Sequence, residues 1–138
     1  MKKIKEYIKL IRVKHYFKNI LIFLPLIFSG NFFNVDKLIC CILGFISFCF
    51  VSSFVYIIND IRDIEKDRMH EVKRNRPLPA GTVSKKEAII LAIILIAVAY
   101  LLNIVMFVTN KIALSDMFVA IGFISLYVAL NIAYSFGL

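Results

Sequence analysis

Three oxygen-bearing side chains recur at four-residue intervals in mid-chain: Asn59, Asp63 and Asp67. On an α-helix they project from one face, drifting about 40° per step along about 12 Å of axis. Like charges stacked this way destabilise a helix, so the stripe calls for a cation. Oxygen-only donors suit a hard ion, with Mg²⁺ first, which is commonly held by one or two carboxylates together with substrate phosphates. Asp60 and Glu65 lie off the stripe. Lys73, Arg74 and Arg76 follow, and Pro77-Leu78-Pro79-Ala80-Gly81 then turns the chain back. A metal-bearing carboxylate face beside a cationic loop is what a diphosphate needs, because the metal bridges some oxygens and Lys/Arg bind the rest. The plainer account of the acids is a solvated helix that pairs Asp63 with Arg62 or Lys66. For the bases it is anchoring to anionic lipid, worth about 1 kcal/mol per Lys/Arg. Anchoring does not explain the adjacent acids, which anionic lipid would repel.

The rest of the chain must hold this segment, and its composition says how. Of 138 residues, 61% are hydrophobic, and the mean hydropathy of +0.85 excludes an ordinary water-soluble globule. Seventeen Lys+Arg against nine Asp+Glu give +8. These bases are not spread over a soluble surface as a nucleic-acid reader would spread them, so no nucleic-acid partner is expected. Four apolar runs approach membrane-spanning length, at 20–33, 38–58, 88–108 and 117–136. Residues 1–18 carry seven bases and residues 59–87 eight, which leaves only Lys37 and Lys111 elsewhere. With four spans both rich segments fall on one side, so the positive-inside rule puts both termini in the cytoplasm and the chain in the cytoplasmic (inner) membrane. Ile4, Tyr7, Ile8 and Ile11 recur at helical spacing among lysines, which predicts an amphipathic helix in the headgroup plane. The fold expected is all-α: one polytopic helix bundle over residues 1–138.

The run Asn59-Asp60-x-x-Asp63-x-x-x-Asp67, then Arg76-Pro77-Leu78 and Gly81, resembles the first aspartate-rich motif of the UbiA-type membrane prenyltransferases. It also sits where that family has it, at the cytoplasmic end of the second helix. Asp67-Arg68-x-His70-x-x-Lys73-x-x-Arg76-Pro77 and the early Lys18-Asn19 are similar to the subgroup that moves phosphoribose onto polyprenyl phosphates. Glu71, Val13 and Tyr16 depart from that subgroup's pattern. The resemblance implies a transferase with a Mg²⁺-held diphosphate leaving group, a diphosphate donor and an isoprenoid lipid substrate. Asn59, Asp63 and Asp67 would ligand Mg²⁺, with Asp60, Asp63 and Asp67 as the catalytic acids. Lys73, Arg74 and Arg76 would bind phosphate, and Lys18, Asn19 and His70 would reach the same substrate. Prenyl transfer to an aromatic acceptor is the alternative reaction. The family also has a second aspartate-rich motif. Past Asp67 this chain has only Glu71, Glu87 and Asp116 as acids, so it is expected to be the N-terminal half, with a non-catalytic membrane protein as the alternative.

Other residues invite blander readings. Cys40, Cys41 and Cys49 form neither a disulfide framework nor a metal-ligand spacing. His15 is read as an interfacial residue, and Asn103 and Asn131 as bundle-facing groups that bond another helix.

Overall fold

A computed structural model describes residues 2–23, 30, 35–109 and 113–135, without the side chains of Lys2, Lys18, Asn19 and residues 21–23. The described residues form helices joined by short turns, with no strand among them. Helix α1 (Lys2–Ile11) leads into a 3₁₀ segment over Val13–Phe23. Helices α2 (Val35–Arg62), α5 (Lys85–Val108) and α6 (Leu114–Ser135) are each long and apolar enough to cross a membrane, and the chain is an integral membrane protein. Between α2 and α5 come the short α3 (Ile64–Arg68), a 3₁₀ turn at Lys73–Asn75 and α4 (Pro77–Ala80). The expected first span, 20–33, lies largely outside the described residues.

Helix α5 runs back along α2 through a stripe in which three of six buried positions are alanine. Ala88, Ala92, Leu95, Ala99, Asn103 and Met106 are its buried positions, at steps of three and four residues that keep them on one face. Small side chains let two backbones approach closely where lipid offers no hydrophobic drive between helices. Helix α2 answers with the buried Ser47. Ser47 Oγ donates to the Ala99 carbonyl at 3.0 Å, and Asn103 Nδ2 donates to Ser47 Oγ at 3.2 Å and to the Ala99 carbonyl at 3.0 Å. Asn103 therefore faces the bundle and bonds α2, as expected. Among the described residues Asn131 Nδ2 donates to the Tyr127 carbonyl one turn back, at 2.8 Å. Asn103→Ala should destabilise the bundle by about 1 kcal/mol, read as a lowered midpoint in detergent denaturation. An unchanged midpoint would show that the bond contributes nothing.

The tightest apolar core sits at the end of α2 where the charged segment begins. Leu10, Ile57, Leu78, Val83, Ala88, Ala92 and Leu95 form it. Leu10 was not part of the expected apolar stripe of α1, yet it is 1% exposed while Ile4 and Ile8 stay exposed. The cause is where α1 is fastened. Ser84, Lys85, Lys86 and Glu87 open α5 with a capping box, in which Ser84 Oγ accepts from the Glu87 amide at 3.1 Å. The same Glu87 carboxylate accepts from Tyr7 Oη at 2.5 Å and pairs with Lys3 at 3.1 Å. Lys3 Nζ also donates to the Thr82 carbonyl at 2.8 Å, so α1 lies across the 81–87 turn and turns Leu10 inward. The turn itself depends on Gly81, whose φ of +80° is left-handed and open to glycine at little cost.

Candidate phosphate and metal site

Helix α2 ends at Arg62 and does not run on to Pro77. It loosens at Asp63 (φ −98°, ψ 13°), although the Asp63 amide still donates to the Asn59 carbonyl at 3.0 Å and the Asp67 amide to the Asp63 carbonyl at 2.8 Å. The helical path ends after Arg68, where the Met69 amide tightens onto the Lys66 carbonyl. His70 then fixes the loop, its Nδ1 accepting from the backbone amides of Val72 and Lys73, both at 3.1 Å. These bonds give the 3₁₀ turn the side-chain acceptor that a helix terminus otherwise lacks.

The four oxygen-bearing residues part company. Asp60 and Asp67 are buried, at 4% and 3% exposure, and Arg76 lies between them, 3.7 Å from Asp60 Oδ1 and 3.8 Å from Asp67 Oδ2. Seven residues is close to two helical turns, so these two carboxylates share a face. The expected stripe had left Asp60 aside. Arg12, from the start of the 3₁₀ segment, donates through Nη2 to Asp60 Oδ1 at 2.7 Å. Asn59 Oδ1 instead accepts from Ser135 Oγ, at the end of α6. Asp63 receives a two-point contact from Arg62, 3.0 Å from Nε and 3.1 Å from Nη2. Those bonds, with the nearby charges of Lys66 and Lys73, hold its carboxyl below the usual carboxylate range. Arg74 is exposed on the turn. The side chains of Lys18 and Asn19 lie outside the described residues.

Two buried acids and two guanidiniums thus compensate one another, as charges removed from water must. The compensation is incomplete at one atom: Asp67 Oδ2 is buried and accepts no hydrogen bond. Asn59, Asp60, Asp63 and Asp67 together offer only oxygen donors within nine residues of chain, the chemistry of a hard divalent cation. The unsatisfied Asp67 oxygen is the observation that makes them fit one. In the arrangement described, no three His, Cys, Asp or Glu side chains among the described residues already converge as a metal cage.

Sequence reasoning missed Arg12. It is the single described non-glycine residue with a positive φ, +58°, a conformation that costs an ordinary residue about 1–2 kcal/mol. That twist ends α1 and brings the guanidinium 4.5 Å over the Tyr56 ring while it bonds Asp60. The 3₁₀ segment is pinned beside it, with Ser53 Oγ donating to the Ile11 carbonyl at 2.6 Å and meeting Tyr16 Oη at 2.5 Å.

Residues 20–138 match the UbiA prenyltransferase family, and the chain belongs to that family of membrane proteins. It is 36% identical over 132 residues to a decaprenyl-phosphate phosphoribosyltransferase of Corynebacterium glutamicum, covering 94% of this chain and 37% of that protein. A digeranylgeranylglyceryl phosphate synthase of Methanocaldococcus jannaschii is 37% identical over 105 residues, 75% of this chain and 36% of its own length. A solved structure described as a digeranylgeranylglyceryl phosphate synthase in membranes superposes with a TM-score of 0.72 at 28% identity, over 98% of this chain and 44% of that one. The chain therefore spans less than half the length of these relatives.

Proposed function

We propose that this chain builds the diphosphate-binding half of a Mg²⁺-dependent membrane transferase that moves phosphoribose from 5-phosphoribosyl diphosphate to a polyprenyl phosphate. The carrying observation is the buried pair Asp60 and Asp67 held by Arg12 and Arg76, with one Asp67 oxygen left unsatisfied. The likeness to the decaprenyl-phosphate phosphoribosyltransferase supports the choice of donor. In the reaction the bond from the anomeric carbon to the diphosphate oxygen breaks, and pyrophosphate leaves with the electron pair. A phosphate oxygen of the acceptor then bonds that carbon. Asn59, Asp63 and Asp67 would hold the Mg²⁺, which when bound neutralises charge growing on the leaving group. Arg76, Lys73 and Arg74 bind the remaining phosphate oxygens and keep the diphosphate in line. His70, with Nδ1 committed to the loop, offers only Nε2 to the donor. The charge distribution supports a cytoplasmic face for this site and cytoplasmic termini.

Prenyl transfer is the second reading, favoured by the likeness to the digeranylgeranylglyceryl phosphate synthases. The two separate in nanodiscs containing the chain and Mg²⁺. One arm supplies 5-phosphoribosyl diphosphate with polyprenyl phosphate, the other a prenyl diphosphate with an aromatic acceptor. Pyrophosphate release is expected in the first arm only and should fall about 100-fold on chelation of the metal. Release in the second arm alone would replace the donor. Silence in both would remove the activity from this chain.

A further inference from the structure

A cleft of about 540 Å³ opens beside Asp60, between the α1–3₁₀ junction and the 72–77 loop. Lys9, Arg12, Lys14, His15, Asn75 and Arg76 line it around the single carboxylate of Asp60. Of the four cations, Arg12 bonds Asp60 at 2.7 Å, Lys9 pairs with Glu6 at 3.6 Å and Arg76 lies 3.8 Å from Asp67, so Lys14 brings a positive charge that no described acid pairs. The excess positive charge suits an anion rather than a metal. The volume falls within the range of small-molecule sites. Arg76 stands 3.7 Å and 3.8 Å from its two carboxylates, too far for hydrogen bonds, so its fork of donors is not used up by them. Ile8, Val13 and Val72 give the same cleft an apolar lip, and all three are exposed.

We propose that this cleft binds a phosphate monoester, with Arg12 and Arg76 at its floor and Lys14 and Asn75 at its mouth. A fork of guanidinium donors matches phosphate oxygens in two-point contacts. The strained backbone of Arg12, together with Tyr56 and Asp60, holds that fork in place before any ligand arrives. As a substrate seat the assignment rests on the transferase reading, in which both reactants carry phosphate. Arg76 is common to this cleft and to the Asp67 carboxylate, so a monoester here would sit next to the departing diphosphate. The phosphate can come from a soluble sugar phosphate or from a lipid headgroup whose chain leaves over the apolar lip.

The test uses the full chain in neutral phosphatidylcholine nanodiscs. Ribose 5-phosphate is titrated by calorimetry in one arm, and phosphatidic acid incorporated in the disc is followed by its ³¹P resonance in the other. Saturable binding is expected in at least one arm, and the arm that saturates names the source. Lys14→Gln and Asn75→Ala, both at exposed positions, should each weaken it several-fold, and together by about tenfold. Lys86→Gln, on α5, should leave it unchanged. The paired change Arg12→Gln with Asp60→Asn keeps the local charge balanced and should abolish binding without unfolding the chain. No saturation in either arm, or equal weakening by Lys86→Gln, would overturn the proposal. Asp63→Asn separates it from the transferase reading: it should stop pyrophosphate release while leaving monoester binding within twofold.

Discussion

Asp67→Asn should lower pyrophosphate release by about 100-fold and weaken Mn²⁺ binding, read by electron paramagnetic resonance, by about 10–100-fold. The substitution preserves shape and removes one charge. In the protein as folded, Asp67 Oδ2 is buried and accepts no hydrogen bond, and its nearest compensation is Arg76 at 3.8 Å. Stability should therefore change little, because Arg76 keeps Asp60 as a partner at 3.7 Å. What changes is the electrostatic character of the site: an amide oxygen is a weaker donor to a hard cation than a carboxylate, and the amide nitrogen adds a donor next to a guanidinium. On the proposed reading Asp67 anchors both the metal and, through it, the leaving group, so both readouts should move together. An unchanged release rate, or a rate loss with unaltered Mn²⁺ affinity, would remove Asp67 from the metal site. A large fall in denaturation midpoint would instead give Asp67 a structural role through Arg76.

Much of this architecture is legible in the sequence, for reasons that also set the limit. The long spans announce themselves because 18 or more apolar residues have few other uses, and α2, α5 and α6 fall on three of the four expected runs. The charged segment 59–76 stands out for the same reason, as ionisable residues between apolar runs need partners. Spacing along one helix, however, reports only which residues share a face, not what lies opposite. Asn59, Asp63 and Asp67 read as a unit at four-residue steps, yet the protein turns Asn59 toward Ser135 and ties Asp60 to Asp67 through Arg76. The seven-residue step from Asp60 to Asp67 was the signal available. Arg12 could not be found that way. It lies 48 residues from Asp60, and it arrives only because Glu87, Tyr7 and Lys3 lay α1 across the start of α5. Leu10 was misplaced for the same reason: amphipathic periodicity marks an apolar arc, and the docking partner decides which edge of the arc is buried.

Arg12→Ala should destabilise the fold by about 3–5 kcal/mol, and Asp60→Asn in the same chain should restore most of that loss. The Arg12 guanidinium and the Asp60 carboxylate are only 20% and 5% exposed as side chains, so solvent cannot take over for a missing partner. Truncating Arg12 leaves Asp60, among the described residues, with Arg76 at 3.7 Å and without a hydrogen bond, and Arg76 must still serve Asp67. It also removes the cation over Tyr56, a contact worth about 1 kcal/mol, which the second substitution does not return. Recovery should therefore be incomplete by about that amount. Nothing is regained from the backbone, since alanine at φ +58° carries the same left-handed strain as arginine. Four chains, wild type, each single variant and the double, compared by denaturation midpoint, close the cycle. A coupling near zero would mean that the pair does not stabilise the fold and that Asp60 is compensated in another way. A large coupling with full loss of monoester binding in the double variant would assign one residue two tasks: Arg12 neutralises a buried acid when the cleft is empty and turns part of its fork to phosphate when it is filled.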